Sequence, residues 1–292
     1  MISLLLSILT NALPFLPFAF AVAISFNILR ATDMTLDGSF VVGASVFAKL
    51  ITMGVFPVIA GGCAILAGML AGVMVATIQR GGRVDPLLAG VLATFILASV
   101  SLIIMGRPNI SLLSSSTLVS SAFAMGEGVG FSVVAVYSMV ICLIVMLVFR
   151  SNVGLRLRAL GDNPQLLLRL GYSLETNRML GFAITNGMAA FAGMLMSQTT
   201  GFADVGMGYG MTLTGIGAII LGRQLLVYTT HQVMLRIIGE FFTALIGVLL
   251  YFAIMVVLLR FDINPMYLKM CIGLMLVFLM RGVISYATTP LH

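Results

Sequence analysis

The chain has 292 residues, of which 61% are hydrophobic and 8% charged, with 15 Lys+Arg against 9 Asp+Glu for a net charge of +6. A soluble globular domain carries about 25% charged residues, and helices this apolar have no polar outer face to offer water. A soluble enzyme or binding domain is therefore excluded, and an all-α polytopic membrane protein is what remains.

The N-terminal stretch MISLLLSILTNALPFLPFAFAVAISFNIL has neither a basic leading region nor a small-residue cleavage site, so it reads as a first span, about 4–28, and not as a cleaved signal. A bilayer core takes about 20 apolar residues of helix, and 55–78, 87–106, 130–149, 179–199, 234–259 and 266–284 meet that need. Two shorter segments rich in Gly, Ala, Ser and Thr, 37–50 and 210–222, read as short crossings, tilted helices or half-helices. The more polar 112–126 reads as an external or re-entrant helix. The expected total is about 8–10 transmembrane helices. Each short segment precedes a long span (37–50 before 55–78, 210–222 before 234–259), the pattern of transporters with broken helices in two related halves. Tight helix packing through small residues is the other reading of the same segments.

Loop charge sets the orientation. The segment 150–178 holds Arg150, Arg156, Arg158, Arg169 and Arg178 against Asp162 and Glu175, and is expected on the cytoplasmic side. Counting back puts Glu127 outside and Arg80 and Arg83 inside. Counting forward puts Asp204 outside, Arg223 inside, Asp262 outside and Arg281 inside. Arg30 inside favours a crossing by 37–50 and an external N-terminus; a re-entrant 37–50 would place the N-terminus in the cytoplasm. The positive balance thus reads as orientation charge, not as a nucleic-acid surface.

Within the basic loop, Asp162 or Asn163 is placed to cap a short helix over about 165–171, with Pro164 in its first turn and Leu166, Leu167 and Leu168 apolar. Such a helix is too short to persist alone. It needs a surface, and either a second protein or lipid headgroups would supply one. Asp33 and Asp37 sit near a span end, where a capping role fits. Glu240 lies well inside 234–259, and Arg236, four residues earlier, suits an ion pair with it; a pathway or coupling role is the alternative. Asn186 and Ser197 are candidates for bonds between helices. Asn27, Ser39, Ser45, Thr212 and Thr214 are the candidates to line a solute pathway. Cys63, Cys142 and Cys271 lie in apolar runs without metal-site spacing. The 21 Met are spread out rather than clustered as soft metal ligands, and His231 and His292 are far apart. The chain has no Gly-x-x-x-x-Gly-Lys-Ser/Thr loop, so it is not expected to hydrolyse ATP.

The run RSNVGLRLRALGDNPQLLLRLGYSLETNRMLGFAITNGMAAFAG, 150–193, resembles the cytoplasmic loop of bacterial ABC-transporter permeases of the branched-chain amino acid and ribose type. The resemblance rests on Gly154, Arg158, Ala159, Gly161, Asp162, Asn163 and Pro164, then Gly171, and then Asn186, Gly187, Ala190 and Gly193. The segments 27–46 and 215–222 are similar to two further stretches of that family, in the same order. The resemblance implies one permease domain over 1–292, in a multi-pass inner-membrane protein that is not an enzyme and binds no cofactor itself. It implies a pathway formed by two copies of the chain, an extracytoplasmic substrate-binding protein, and a cytoplasmic ATP-binding cassette ATPase that uses ATP. That ATPase would dock on 150–178 through a coupling helix at about 163–172, involving Arg158, Gly161, Asp162, Asn163, Pro164, Leu167, Arg169 and Gly171. The solute would be an amino acid, sugar or nucleoside, imported by alternating access. The chain departs from the family at ATDMTLDG, which carries Asp33 and Asp37, and at GRQLLVYTTHQ, 222–232. An ion-driven secondary transporter is the alternative. It needs an interior group that cycles its charge, and Glu240 is the one good interior candidate.

Overall fold

The computed structural model describes residues 2–82, 84–229, 236–260, 270 and 273–274. Most of the expected span 266–284 lies outside the described residues, as do His231, Asp262, Cys271, Arg281 and His292. Among the described residues, eight helical stretches are long and apolar enough to cross a membrane: Leu6–Ile28, Thr35–Thr52, Pro57–Ile78, Pro86–Met105, Glu127–Arg150, Leu174–Thr200, Val205–Leu226 and Ile237–Arg260. The protein is an all-α, multi-pass membrane protein.

In chain order, α1 (Ile2–Ala23) runs into a π-helical turn, Ile24–Ile28, and is followed by α2 (Thr35–Thr52), α3 (Pro57–Ile78) and α4 (Pro86–Met105). Then come β1 (Asn109–Ser111), α5 (Leu118–Met125), α6 (Glu127–Arg150), α7 (Asn152–Asp162) and α8 (Pro164–Arg169). The described chain continues through α9 (Leu174–Thr200), β2 (Phe202–Asp204), α10 (Met211–Thr229) and α11 (Arg236–Arg260). The two segments expected to be short are helices of 18 and 19 residues, about 27 and 29 Å long at 1.5 Å per residue. In 112–126 only an eight-residue helix forms, α5, closed by a reciprocal capping box between Thr117 and Ser120. Beside it, β1 and β2 pair antiparallel, Ile110 opposite Ala203.

Three helices form the centre. The apolar windows of α1, α2 and α9 are 67%, 72% and 78% buried, against 28% for α4 and 22% for α6, which face outward. What lets α2 lie so deep is the absence of side chains at its crossing with α9. A Cβ at Gly43 would strike the backbone of Ala190, and one at Gly193 would strike the Phe40 carbonyl. On the other side of α9, Gly68 and Gly72 of α3 meet the Asn186 and Phe182 carbonyls in the same way. In lipid, where apolar area alone does not drive helices together, such backbone approach is what binds them. The device recurs between α10 and α11, where Gly222 faces the Thr243 carbonyl and Gly247 the Ala218 carbonyl. Edge-on rings of Phe18 with Phe40, Phe20 with Phe241 and Phe15 with Phe252 fill the space among α1, α2 and α11.

Ion pairs tie the loop ends into one basic face. Arg30 Nη2 lies 3.0 Å from Asp162 Oδ1, and Arg80 Nε 2.6 Å from Glu175 Oε2. The end of α1, the α3–α4 turn and the 150–178 segment therefore share a side, as the charge count anticipates, and α1 begins on the opposite one. Both members of the Arg80–Glu175 pair are substantially exposed. Arg80→Ala is accordingly expected to change stability by less than about 1 kcal/mol, read as a shift of thermal unfolding in detergent.

Candidate functional site

The first polar site forms where α2 begins. Thr35 opens the helix, and the residues before it cannot leave the bundle, because α2 starts level with Asn186, halfway along α9. Asp33 is fully buried there. Its Oδ1 accepts from the Thr35 amide at 2.9 Å, and its Oδ2 accepts from Asn186 Nδ2 at 2.7 Å. Asn186 Oδ1 in turn accepts from Ser39 Oγ at 2.6 Å, and Nδ2 also donates to the Phe182 carbonyl at 2.9 Å. One amide side chain thus joins the α1–α2 connection, α2 and α9.

A second helix begins against the first. After β2, the short 3-10 turn Val205–Gly208 descends until Gly208 lies against the Asp37 backbone and Val41. There α10 starts. Asp37 accepts from the Gly210 amide at 3.1 Å, the Thr212 amide at 2.6 Å and Thr212 Oγ1 at 2.6 Å. An acid in the first turn of α2 therefore caps α10, a helix 175 residues away in sequence. The two helices meet N-terminus to N-terminus and run apart toward opposite faces. Both positive dipole ends converge on one carboxylate. Asp37→Ala is expected to cost about 0.5–2 kcal/mol, the range for losing a helix cap; thermal unfolding of the purified variant checks it.

A third polar group closes the basic side. Glu240 is nearly buried and accepts from Asn27 Nδ2 at 2.7 Å and Arg223 Nη2 at 2.9 Å. The expected partner, Arg236, has its side chain outside the described residues, and the described partners come from the π turn after α1 and from α10. The helical i,i+4 spacing that suggested Arg236 says nothing of α10 packing across α11.

The residues singled out for a pathway are distributed over these groups. Ser39, Thr212 and Asn27 each join a different cluster, as above. Ser45 bonds back within α2 to the Val41 carbonyl, and Thr214 bonds to the Gly210 carbonyl just ahead of α10 and to Tyr251 of α11. Asn186 does link helices, whereas Ser197 bonds to the Met194 carbonyl of α9 itself. Sequence reasoning named Asp33 and Asp37 as caps and missed that they bridge distant helices. The signal present was their placement where the chain departs from the resembled family.

On the basic face, 151–172 folds as two helices in place of the single one expected. Ser151 caps α7, and Leu157 and Leu160 on one side of it are buried. Asn163 caps α8, its Oδ1 accepting from the Leu166 amide at 3.1 Å, with Pro164 in the first turn. Leu167 points inward at 1% exposure, while Leu166, Leu168 and Leu170 stand out at 47%, 55% and 62%. Gly171 ends the turn with φ 80. The Arg156 guanidinium lies 5.1 Å from the centre of the Tyr172 ring, and an open recess of about 570 Å³ lies between α7 and α8. Arg158 bonds back to the Gly154 carbonyl. Gly161 rests directly on the Ile28 carbonyl.

Comparison with known proteins agrees with this picture. A family described as "Branched-chain amino acid transport system / permease component" matches residues 4–280. A protein of Rickettsia prowazekii (strain Madrid E), described as uncharacterized protein RP368, is 42% identical over 274 residues, 94% of this chain and 95% of that one. A tyrosine transport system permease protein of Clostridioides difficile (strain R20291) is 37% identical over 222 residues, 76% of this chain and 73% of that one. The autoinducer 2 import system permease protein LsrC of Salmonella typhimurium is 31% identical over 114 residues, 39% of this chain and 33% of that one. No solved structure matches. With a match over nearly its whole length, the chain belongs to the branched-chain amino acid transport system permease family of ABC transporters.

Proposed function

We propose that this chain is the membrane subunit of an ATP-driven importer for a small solute of amino-acid size. Two copies enclose the pathway, a separate ATPase hydrolyses ATP, and an extracytoplasmic binding protein delivers the solute. The observation that carries this reading, beside family membership, is α8. It is a capped helix of six residues with Leu167 anchored inward and Leu166 and Leu168 presented outward on the basic face, and Leu170, directly after it, is exposed as well. By the positive-inside rule that face is cytoplasmic, so the exposed leucines await a cytoplasmic partner. Arg158, Gly161, Asp162, Asn163, Pro164, Leu167, Arg169 and Gly171 shape and hold this docking segment, while Leu166, Leu168 and Leu170 make the contact.

Alternating access fits the junction of α2 and α10. Their N-termini meet at one carboxylate deep in the bundle, and each helix extends to a different face. A small relative movement there opens one side and closes the other. Ser39 and Thr212 lie in the polar groups that such a movement rearranges, with Ser45 and Thr214 on the same two helices and Asn27 nearby at Glu240. The tyrosine system relative favours an amino acid as solute.

The test is uptake of radiolabelled tyrosine, with leucine and ribose in parallel, by proteoliposomes holding this chain with its ATPase and binding protein. Uptake of one of these that requires ATP and survives ionophores is expected. Uptake driven by an ion gradient without ATP would replace this reading with secondary transport.

A further inference from the structure

We propose that the Arg30–Asp162 ion pair, with the seat of Gly161 on Ile28, transmits movement of α7 and α8 into the α1–α2 connection and so to the buried junction at Asp33 and Asp37. This deepens the proposed function and rests on α8 being the ATPase seat.

The connection is built as a hinge. It follows a π turn, Ile24–Ile28, a helical form that recurs at functional sites. Arg30 has φ 51, the one non-glycine residue with positive φ among the described residues. A long side chain in that conformation is strained and persists only where its surroundings hold it. Here the holders are identifiable. Ser25 Oγ donates to the Ala31 carbonyl, and the Ala31 amide donates to the Ser25 carbonyl, both at 3.0 Å. Asp162 holds the Arg30 guanidinium at 3.0 Å.

The docking segment touches this hinge at two points. Gly161 admits the Ile28 carbonyl where any side chain would collide, and Asp162 takes Arg30, while Leu29 between them packs against Gly181 of α9. Asn163, next in sequence, caps α8. On the other side of the hinge, Asp33 is three residues from Arg30 and is fixed to Asn186, and Asp37 one helical turn further holds α10. The chain from α8 to α10 is thus continuous in contacts. It also has room to move, because a cavity of about 210 Å³ lies beside it, lined by Arg30, Ala31, Thr32, Gln79, Pro164 and Phe182. The glycine crossings of α2 and α3 with α9, by contrast, leave backbones in contact.

Stability does not account for the ion pair. Its side chains are 59% and 42% exposed, and exposed pairs contribute little to folding. A pair that adds little stability yet bridges the docking segment to a strained hinge is suited to positioning.

The test uses the complex with its ATPase in lipid nanodiscs, with Cys63, Cys142 and Cys271 replaced by serine and Thr32→Cys as reporter. The rate of maleimide labelling is measured without nucleotide and with ATP plus vanadate. The unaltered pair is expected to show a change of about fivefold or more, the low end of typical coupling between sites. Arg30→Asp should abolish that change while the ATPase still co-purifies, and adding Asp162→Arg to it, which exchanges the pair, should restore it. Persistence of the response in Arg30→Asp, or its absence from the exchanged pair, overturns the proposal. Loss of the ATPase from Arg30→Asp also overturns it, by making the pair part of docking instead. If the unaltered chain fails to retain an ATPase, the reading of α8 falls first and this inference with it.

Discussion

Asn186→Leu is expected to destabilise the protein by about 3 kcal/mol or more, the upper end of the range for leaving a buried polar group unpaired. An ordinary hydrogen bond between helices in a membrane is worth only about 0.6 kcal/mol, because the separated helices find other partners. The difference here is the carboxylate. Asn186 is fully buried and donates to Asp33, itself fully buried, so its removal leaves a carboxylate oxygen with no donor. Ser39 Oγ loses its acceptor in the same step. The asymmetry of such networks gives a second expectation. Asp33→Leu combined with Asn186→Leu should be more stable than Asn186→Leu alone, since no charge is then stranded. Thermal unfolding of the three variants in one detergent decides the matter. Equal loss in the single and double variants would mean that Asp33 is not the group at stake.

Gly193→Val and Gly43→Val are expected to prevent the native packing of α2 on α9, costing about 3 kcal/mol, the upper end for overpacking, or more. The obstacle at both positions is backbone, the Phe40 carbonyl for one and Ala190 for the other. A backbone carbonyl cannot rotate away as a side chain can. Gly62 is the control. It lies in α3, and a Cβ there meets nothing within 4 Å. Gly62→Ala should therefore be neutral or stabilising by up to about 1 kcal/mol from helix propensity. The measurement is the fraction of each variant recovered as a monodisperse, heat-resistant species from membranes. Native recovery of Gly193→Val would show that α2 and α9 do not approach as closely as the structure has them.

Much of the architecture was legible because a bilayer imposes one crude rule, about 20 apolar residues per crossing. The long spans obey it plainly, and the arginines of 150–178 mark their face without knowledge of any contact. Even α8 could be read, since Asn163, Pro164 and the leucines that follow announce a capped turn locally. What could not be read were the features set by distant partners. Nothing in TLDGSF shows that Asp37 caps a helix beginning at Met211, or that α2 starts level with the middle of α9. Glu240 was correctly placed inside a span, but its bond to Arg223 depends on how α10 crosses α11. The amphipathic helix α7 was not legible because Arg156 and Arg158 interleave with Gly154, Leu157 and Leu160, which recur at every third residue and are buried, so the short run shows no long apolar stretch.

The account depends most on which partner meets the exposed leucines of α8. A photoreactive phenylalanine derivative placed at Leu168, and separately at Leu113 in the β1–α5 connection on the opposite face, addresses this directly in membranes holding the assembled system. Cross-linking of position 168 to the ATPase, with none from position 113, is the expected result. An ATPase adduct from position 113, or adducts from position 168 to lipid alone, would contradict it.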